Sequence, residues 1–230
     1  MRAKKAASAT ACIAANTFHL FNFDSRTLPI WKAELAAFKA LISPAAAPNG
    51  VDEQTLLDWF GASVERIALL VYALYRIVPT HVARELTIGN FRADYGWADV
   101  DPAVDPTVGL IELENCEPST LFVQKGRTAP YLGNRFLGGF GQLVDWCAFG
   151  RTAANADAKI SAVLGARHHS AAYVYALVAG DQRFASDALS QMRMQWWHEN
   201  LKLGQGTVTR TFDKLITDGG QALTILDKAK

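Results

Sequence analysis

Two glutamates one residue apart, Glu112 and Glu114, close the apolar run Val108-Gly109-Leu110-Ile111-Glu112-Leu113-Glu114. On a β-strand, side chains at i and i+2 point to the same face, about 7 Å apart at a rise of about 3.3 Å per residue. Two like charges on one face of a mostly buried strand repel each other and resist desolvation. A divalent cation between them removes that cost, and oxygen ligands of this kind suit magnesium or manganese. Asp94 lies on the preceding predicted strand and supplies a third carboxylate if the two strands pair. An edge strand whose polar face meets water would carry the same spacing, so spacing alone leaves both readings open.

The elements that must position these side chains can be read from apolar periodicity. Trp31, Leu35, Phe38 and Leu41 recur at three and four residues behind Pro29, which predicts a helix over 29–42 that stops at Ser43-Pro44. Asp52 caps a short helix, and another runs from Ser63 to about Ile77, before Pro79. Residues 81–88 and 91–98 read as strands joined at Gly89-Asn90, a hairpin signal. A loop over 99–107 leads into the acidic strand, 118–130 reads as a loop, and 132–149 has helical spacing. A strand over 173–178, a helix over 188–203, a short strand at 208–211 and a final helix from Phe212 complete the chain. This order predicts an α/β (α+β) fold, a mixed sheet flanked by helices. It divides the chain into an N-terminal helical region, 1–79, and a second part, 80–230.

Composition constrains rather than identifies. The chain has 230 residues, half of them hydrophobic and 20% charged, enough for one well-filled core. A net charge of +1 shows no basic excess, so a nucleic-acid partner would have to be met by local charge. Cys12, Cys116 and Cys147 are odd in number and widely spaced, which argues against a disulfide framework or zinc finger and for reduced thiols in a cytoplasmic protein. The longest apolar run, 67–78, is too short to span a bilayer and contains Arg76, so no membrane partner is expected.

Other candidate residues fit blander roles. Adjacent His168 and His169 lack ligand spacing and read as a surface pair. Gly138-Gly139-Phe140-Gly141 sits inside a helical pattern, and no Gly-Lys-Ser/Thr follows, so it is no phosphate loop. Trp196-Trp197 reads as core rather than as a base-stacking platform. Glu85 reads as a solvated edge carboxylate that could serve as a further acidic ligand. Asp99, Asp101 and Asp105 read as loop acids, with Asp99 a fallback ligand if the register differs.

Arg92-Ala93-Asp94-Tyr95 followed by Gly109-Leu110-Ile111-Glu112-Leu113-Glu114 resembles the core of the PD-(D/E)xK phosphodiesterases. Beyond it, Pro118-Ser119-Thr120-Leu121-Phe122, Lys125-Gly126 and Phe140-Gly141-Gln142-Leu143-Val144-Asp145-Trp146 resemble the Shedu family of bacterial anti-phage nucleases. The segment 173–183 and Val208-Thr209-Arg210-Thr211-Phe212-Asp213-Lys214-Leu215 are similar to that family's later strands, and the likeness spans about residues 85–216. It implies a restriction-endonuclease-like core, a DNA endonuclease in anti-phage defence and a homo-oligomer. It also implies Mg2+ or Mn2+ held by Asp94, Glu112 and Glu114.

One departure matters: the superfamily pattern has lysine where this chain has Glu114. The Shedu-like group includes Glu-x-Glu forms, but the usual cation beside the phosphate is missing. Lys125 or Arg127 in the following loop could replace it, and Gln142 could orient water or a metal-bound ligand. The alternative expectation is a catalytically degenerate nucleic-acid-binding or assembly module of the same fold. A third is a structural protein with no nucleic-acid role.

Overall fold

The computed structural model describes residues 12–124, 126, 129–200, 203 and 206–229. After a two-residue strand β1 (His19–Leu20) come three helices, α1 (Thr27–Leu41), α2 (Glu53–Gly61) and α3 (Val64–Tyr75). Their ends follow local chemistry. The Asp52 side chain accepts from Thr55 N at 2.9 Å and Ser63 caps Arg66 N, while Arg76 closes α3 in the left-handed region.

Strands β2 (His81–Ile88), β3 (Phe91–Asp99) and β4 (Thr107–Leu113) form an antiparallel meander. Gly89, at φ +57°, supplies the backbone freedom for its first turn. Next come α4 (Pro118–Leu121), the small hairpin β5 (Phe122–Val123) and β6 (Tyr131–Leu132), and α5 (Asn134–Asp145). Helices α6 (Arg151–Asn155) and α7 (Ala158–Leu164), strand β7 (Ala172–Val178), α8 (Ala188–Asn200), β8 (Thr207–Arg210) and α9 (Phe212–Lys228) follow.

Six strands make one mixed sheet in the order β1-β2-β3-β4-β7-β8, with β4, β7 and β8 mutually parallel. The expected fold class is therefore present. Strand alternation divides the core into two. On one face Ile111, Leu113, Ala176 and Val178 pack with Trp31, Phe38, Leu70 and Phe212 from the N-terminal helices and α9. On the other, Val108, Leu110, Tyr175 and Leu177 pack with Phe136, Leu143, Trp146 and Ile160 from α5 to α7. The helical region set at 1–79 thus supplies one covering layer of a shared core. No helix among the described residues is long and apolar enough to cross a membrane.

Several expectations change in detail. The segment expected to be a loop over 118–130 holds α4, closed by reciprocal capping between Glu117 and Thr120, and then β5. The helix expected from residue 132 begins only at Asn134, because Leu132 pairs with Phe122. That helix passes into a π-helical turn at Trp146–Gly150, where Gly150 lets the chain pass close to the Tyr175 hydroxyl. The Ala-rich stretch after it has little apolar periodicity, yet it forms α6 and α7. Trp197 packs against Phe136 and Phe140 as expected of core, but Trp196 is 59% exposed. It lies on a helix whose apolar residues are not confined to one face.

Trp31 ties the N-terminal layer together. It is fully buried between Phe21 and Tyr72, and its indole N–H donates to Glu65 O at 3.0 Å. Trp31→Ala should cost about 3–5 kcal/mol and lower Tm in one cooperative transition seen equally by far-UV circular dichroism and tryptophan fluorescence. Two separated transitions would contradict a shared core.

Candidate metal centre

Asp94 and Glu112 meet where β3 and β4 part. The antiparallel register runs from Asp99↔Thr107 to Tyr95↔Ile111, and the next opposed residues are Asp94 and Glu112. There the backbone ladder stops, and Leu113 N donates instead to Asp94 Oδ2 at 2.7 Å. A side-chain carboxylate has replaced a carbonyl as the acceptor, which fixes Asp94 against the acidic strand. Strand β4 keeps its other neighbour: Glu112 lies opposite Leu177, and Glu114 N donates to Val178 O at 2.9 Å. Glu114 lies one residue past the strand as assigned, yet it remains in register with β7.

Both glutamates face α5. Glu112 Oε1 accepts from Gln142 Nε2 at 2.6 Å, so Gln142 joins the site by bonding the carboxylate itself. Gly139, one turn earlier, allows the close approach: a Cβ there would sit 2.6 Å from Leu177 Cδ1 and 3.1 Å from Glu114 Cγ. The Gly138-Gly139 pair thus serves helix-to-sheet packing, consistent with discounting it as a phosphate loop.

Glu112 and Glu114 are each only 7% exposed, and Glu112 Oε2 and Glu114 Oε2 are buried with no hydrogen-bond partner. Burial raises the Glu112 pKa to about 9, assisted by the Asp94 and Glu114 carboxylates and opposed by Gln142. Burial likewise raises Glu114 to about 7, with Glu53 adding to the shift and Arg135 opposing it. Asp94 also rises to about 7, chiefly by burial, while the Leu113 amide pulls it down.

Two residues of this cluster went unnoticed in the sequence. Glu53, the first residue of α2, is brought in by a bridge of two bonds, Val51 N to Cys116 O at 3.1 Å and Cys116 N to Val51 O at 2.8 Å. Arg135, in the first turn of α5, places Nη1 2.9 Å from Glu53 Oε2 and 3.8 Å from Glu114 Oε2. The spacing Arg135, Gly139, Gln142 is a helical i, i+4, i+7 stripe and could have marked Arg135. Nothing local marks Glu53, whose place depends on a contact 65 residues away in sequence, between Val51 and Cys116.

The remaining candidates fall elsewhere. Lys125 and Arg127 lie outside the described residues. Glu85 pairs with Arg84 at 2.7 Å and adds to the shift at Asp94; its φ of +49° is an uncommon, strained backbone conformation opposite that residue. Asp99 pairs with Thr107 at the far end of β3, so it is no substitute ligand. His168 and His169 lie against each other, their ring planes tilted by 44°, in a short 3-10 turn.

Among the described residues, no three His, Cys, Asp or Glu side chains converge in ready ion-binding geometry. The donor chemistry still fits a hard cation: two carboxylate oxygens stand buried without a hydrogen bond beside a third acid. No protein-family model matches the chain, and no curated protein matches it.

These shifts set a pH dependence. A carboxyl whose pKa is higher folded than unfolded holds its proton longer in the native state. Its stabilisation is complete below the unfolded value and fades as pH rises through the folded one. For Glu112, Glu114 and Asp94 that window runs from about 4 to about 9. Metal-free protein should therefore lose Tm steadily from pH 5 to pH 9. Glu112→Gln should flatten the slope and raise Tm at pH 8 by about 3 °C or more, at roughly 2–4 °C per kcal/mol. A pH-independent Tm, or a lower Tm in Glu112→Gln at pH 8, would count against this electrostatic account.

Proposed function

We propose that this chain is a divalent-metal-dependent phosphodiesterase acting on DNA, the reading its resemblance to the Shedu-type nucleases implies. In that setting it would serve anti-phage defence. The observation that carries the reading is the pair of buried oxygens without a hydrogen bond, Glu112 Oε2 and Glu114 Oε2. A fold retains uncompensated buried carboxylates at a cost in stability, and a bound cation offsets that cost.

Asp94, Glu112 and Glu114 would hold magnesium or manganese, which would supply charge stabilisation at the phosphate and acidify a water. The chain's own residues do the rest. Gln142 holds Glu112 through Oε1 and leaves Oε2 without a hydrogen bond. Asp94 is held by the Leu113 amide, which leaves its second oxygen for binding. Glu114, its pKa raised to about 7, can instead take the proton from the attacking water at Oε2, leaving Asp94 and Glu112 to hold the ion. The water oxygen bonds to phosphorus, the bond to the leaving sugar oxygen breaks, and that oxygen is protonated from solvent.

A second reading, an assembly or nucleic-acid-binding module without catalysis, is favoured by α8. Leu189, Met192 and Trp196 are exposed there at helical spacing, beside a 530 Å³ groove also lined by Phe136 and Trp197.

Supercoiled plasmid incubated with Mg2+ or Mn2+ should be nicked or cut by the wild type. Glu112→Ala should slow this by roughly 100-fold or more, a loss of several kcal/mol of charge stabilisation. Gln142→Ala should slow it by about 10- to 100-fold with weaker metal binding, as expected of a ligand's hydrogen-bond partner. Intact plasmid together with no ion-binding heat by calorimetry would sink the enzyme reading and leave the module reading standing.

A further inference from the structure

We propose that the cation of this site is Arg135, a phosphate-binding guanidinium on α5 that Glu53 of the N-terminal helical layer holds beside Glu114. This assignment rests on the phosphodiesterase reading above.

With glutamate at 114, strand β4 places no lysine beside the carboxylates. Arg135 comes from another element, yet it reaches the same place. Its Nη1 is 3.8 Å from Glu114 Oε2, beyond hydrogen-bonding distance but close enough to lower the Glu114 pKa. The stronger bond is to Glu53 Oε2 at 2.9 Å. Glu114 is nearly buried, whereas the Arg135 side chain is 60% exposed. The guanidinium therefore stands at the mouth of the site, between the acids and solvent. An incoming phosphodiester would meet it beside the reacting groups.

Chemistry favours this role. A guanidinium carries five N–H donors in a rigid fork matched to two phosphate oxygens, and it stays charged at any working pH. The bond to Glu53 and the ion pair with Glu114 both involve Nη1, which leaves the rest of the fork for a ligand. Glu53 is positioned by backbone. Gly50, at φ +91°, brings the chain against Cys116, the Val51–Cys116 bridge locks it there, and α2 starts two residues later. Arg135 is in turn fixed along α5 by Gly139 against Leu177 and by Gln142 on Glu112. Glu53 is thus a positioning residue that acts through Arg135, and it ties the N-terminal layer to the reacting strand.

The test uses the full chain and a fluorescein-labelled 20-base-pair duplex. Binding is read by anisotropy across a salt series with Ca2+, cleavage with Mn2+, and ion binding by calorimetry. Arg135→Ala should bind Mn2+ at least as tightly as wild type, because a cation beside Glu114 has gone. Its slope of log affinity against log salt should fall by about 0.9, the loss of one phosphate contact. Its cleavage should fall by about 100-fold or more, with partial recovery in Arg135→Lys. Glu53→Ala should reduce kcat about tenfold with KM unchanged or lower, since the guanidinium still binds phosphate but is no longer held beside Glu114.

An active wild type whose Arg135→Ala variant keeps both salt slope and cleavage overturns the assignment alone. So does loss of cleavage in Lys125→Ala with Arg135→Ala intact, which would put the cation in the loop. A wild type that neither binds Mn2+ nor cleaves removes the underlying reading, and the assignment with it.

Discussion

Carboxylates crowded onto one dry face repel each other, and in this protein the surrounding structure is arranged around that repulsion. Asp94, Glu112 and Glu114 share the side of the sheet that α5 covers, and Glu53 stands at its rim. Burial alone would drive each group to keep its proton. The fold moderates this with specific donors: the Leu113 amide on Asp94, the Gln142 amide on Glu112 and the Arg135 guanidinium near Glu114. The two amides each satisfy one oxygen, Arg135 stays 3.8 Å from Glu114 Oε2, and Glu112 Oε2 and Glu114 Oε2 are left without a hydrogen bond. Such incomplete satisfaction is unusual in a core and is typical of places where a protein holds polar groups for use.

The parting of β3 from β4 is what permits the cluster. If the ladder continued past Tyr95, Leu113 N would face a backbone carbonyl and Asp94 would have no fixed direction. Ending the ladder at Tyr95 frees the Asp94 side chain to accept from a backbone amide, while the parallel pairing of β4 with β7 continues through Leu113. Opposite these strands, the layer built on Trp31, Phe38 and Phe60 seals the other face, and the Val51–Cys116 bridge turns the same layer towards the site. Covering layer and acidic strand are one mechanical unit.

Much of this is legible along the chain, and the limits have physical causes. The antiparallel strands and the N-terminal helices show because their apolar periods are long and their end signals local, the cap at Asp52 and the turn at Gly89. Asp94, Glu112 and Gln142 show through pattern and likeness, and the structure brings them together. Short elements escape: α4 has four residues and β5 two, too few for a period to register, and the Ala-rich α6 has no apolar stripe. Glu53 escapes for a deeper reason. Its neighbours in sequence say only that it starts a helix, and its proximity to the acidic strand arises from tertiary pairing. Arg135 escaped because a missing lysine directs attention to the next loop, whereas helical spacing leads to the stripe that already holds Gln142.

The sheet's two margins are very short, β1 with two residues and β8 with four. A margin of that length offers few free amides and carbonyls, so it makes a poor template for another chain to add a strand. Beyond β1, the edge of β2 is blunted by the Ala15–Arg84 bridge and by Asn16, whose side chain accepts from Thr87 N at 2.9 Å. Any contact between copies of this protein would then fall to side chains on its helices. Evolution could remodel such surfaces one residue at a time without disturbing the strands that carry the acids.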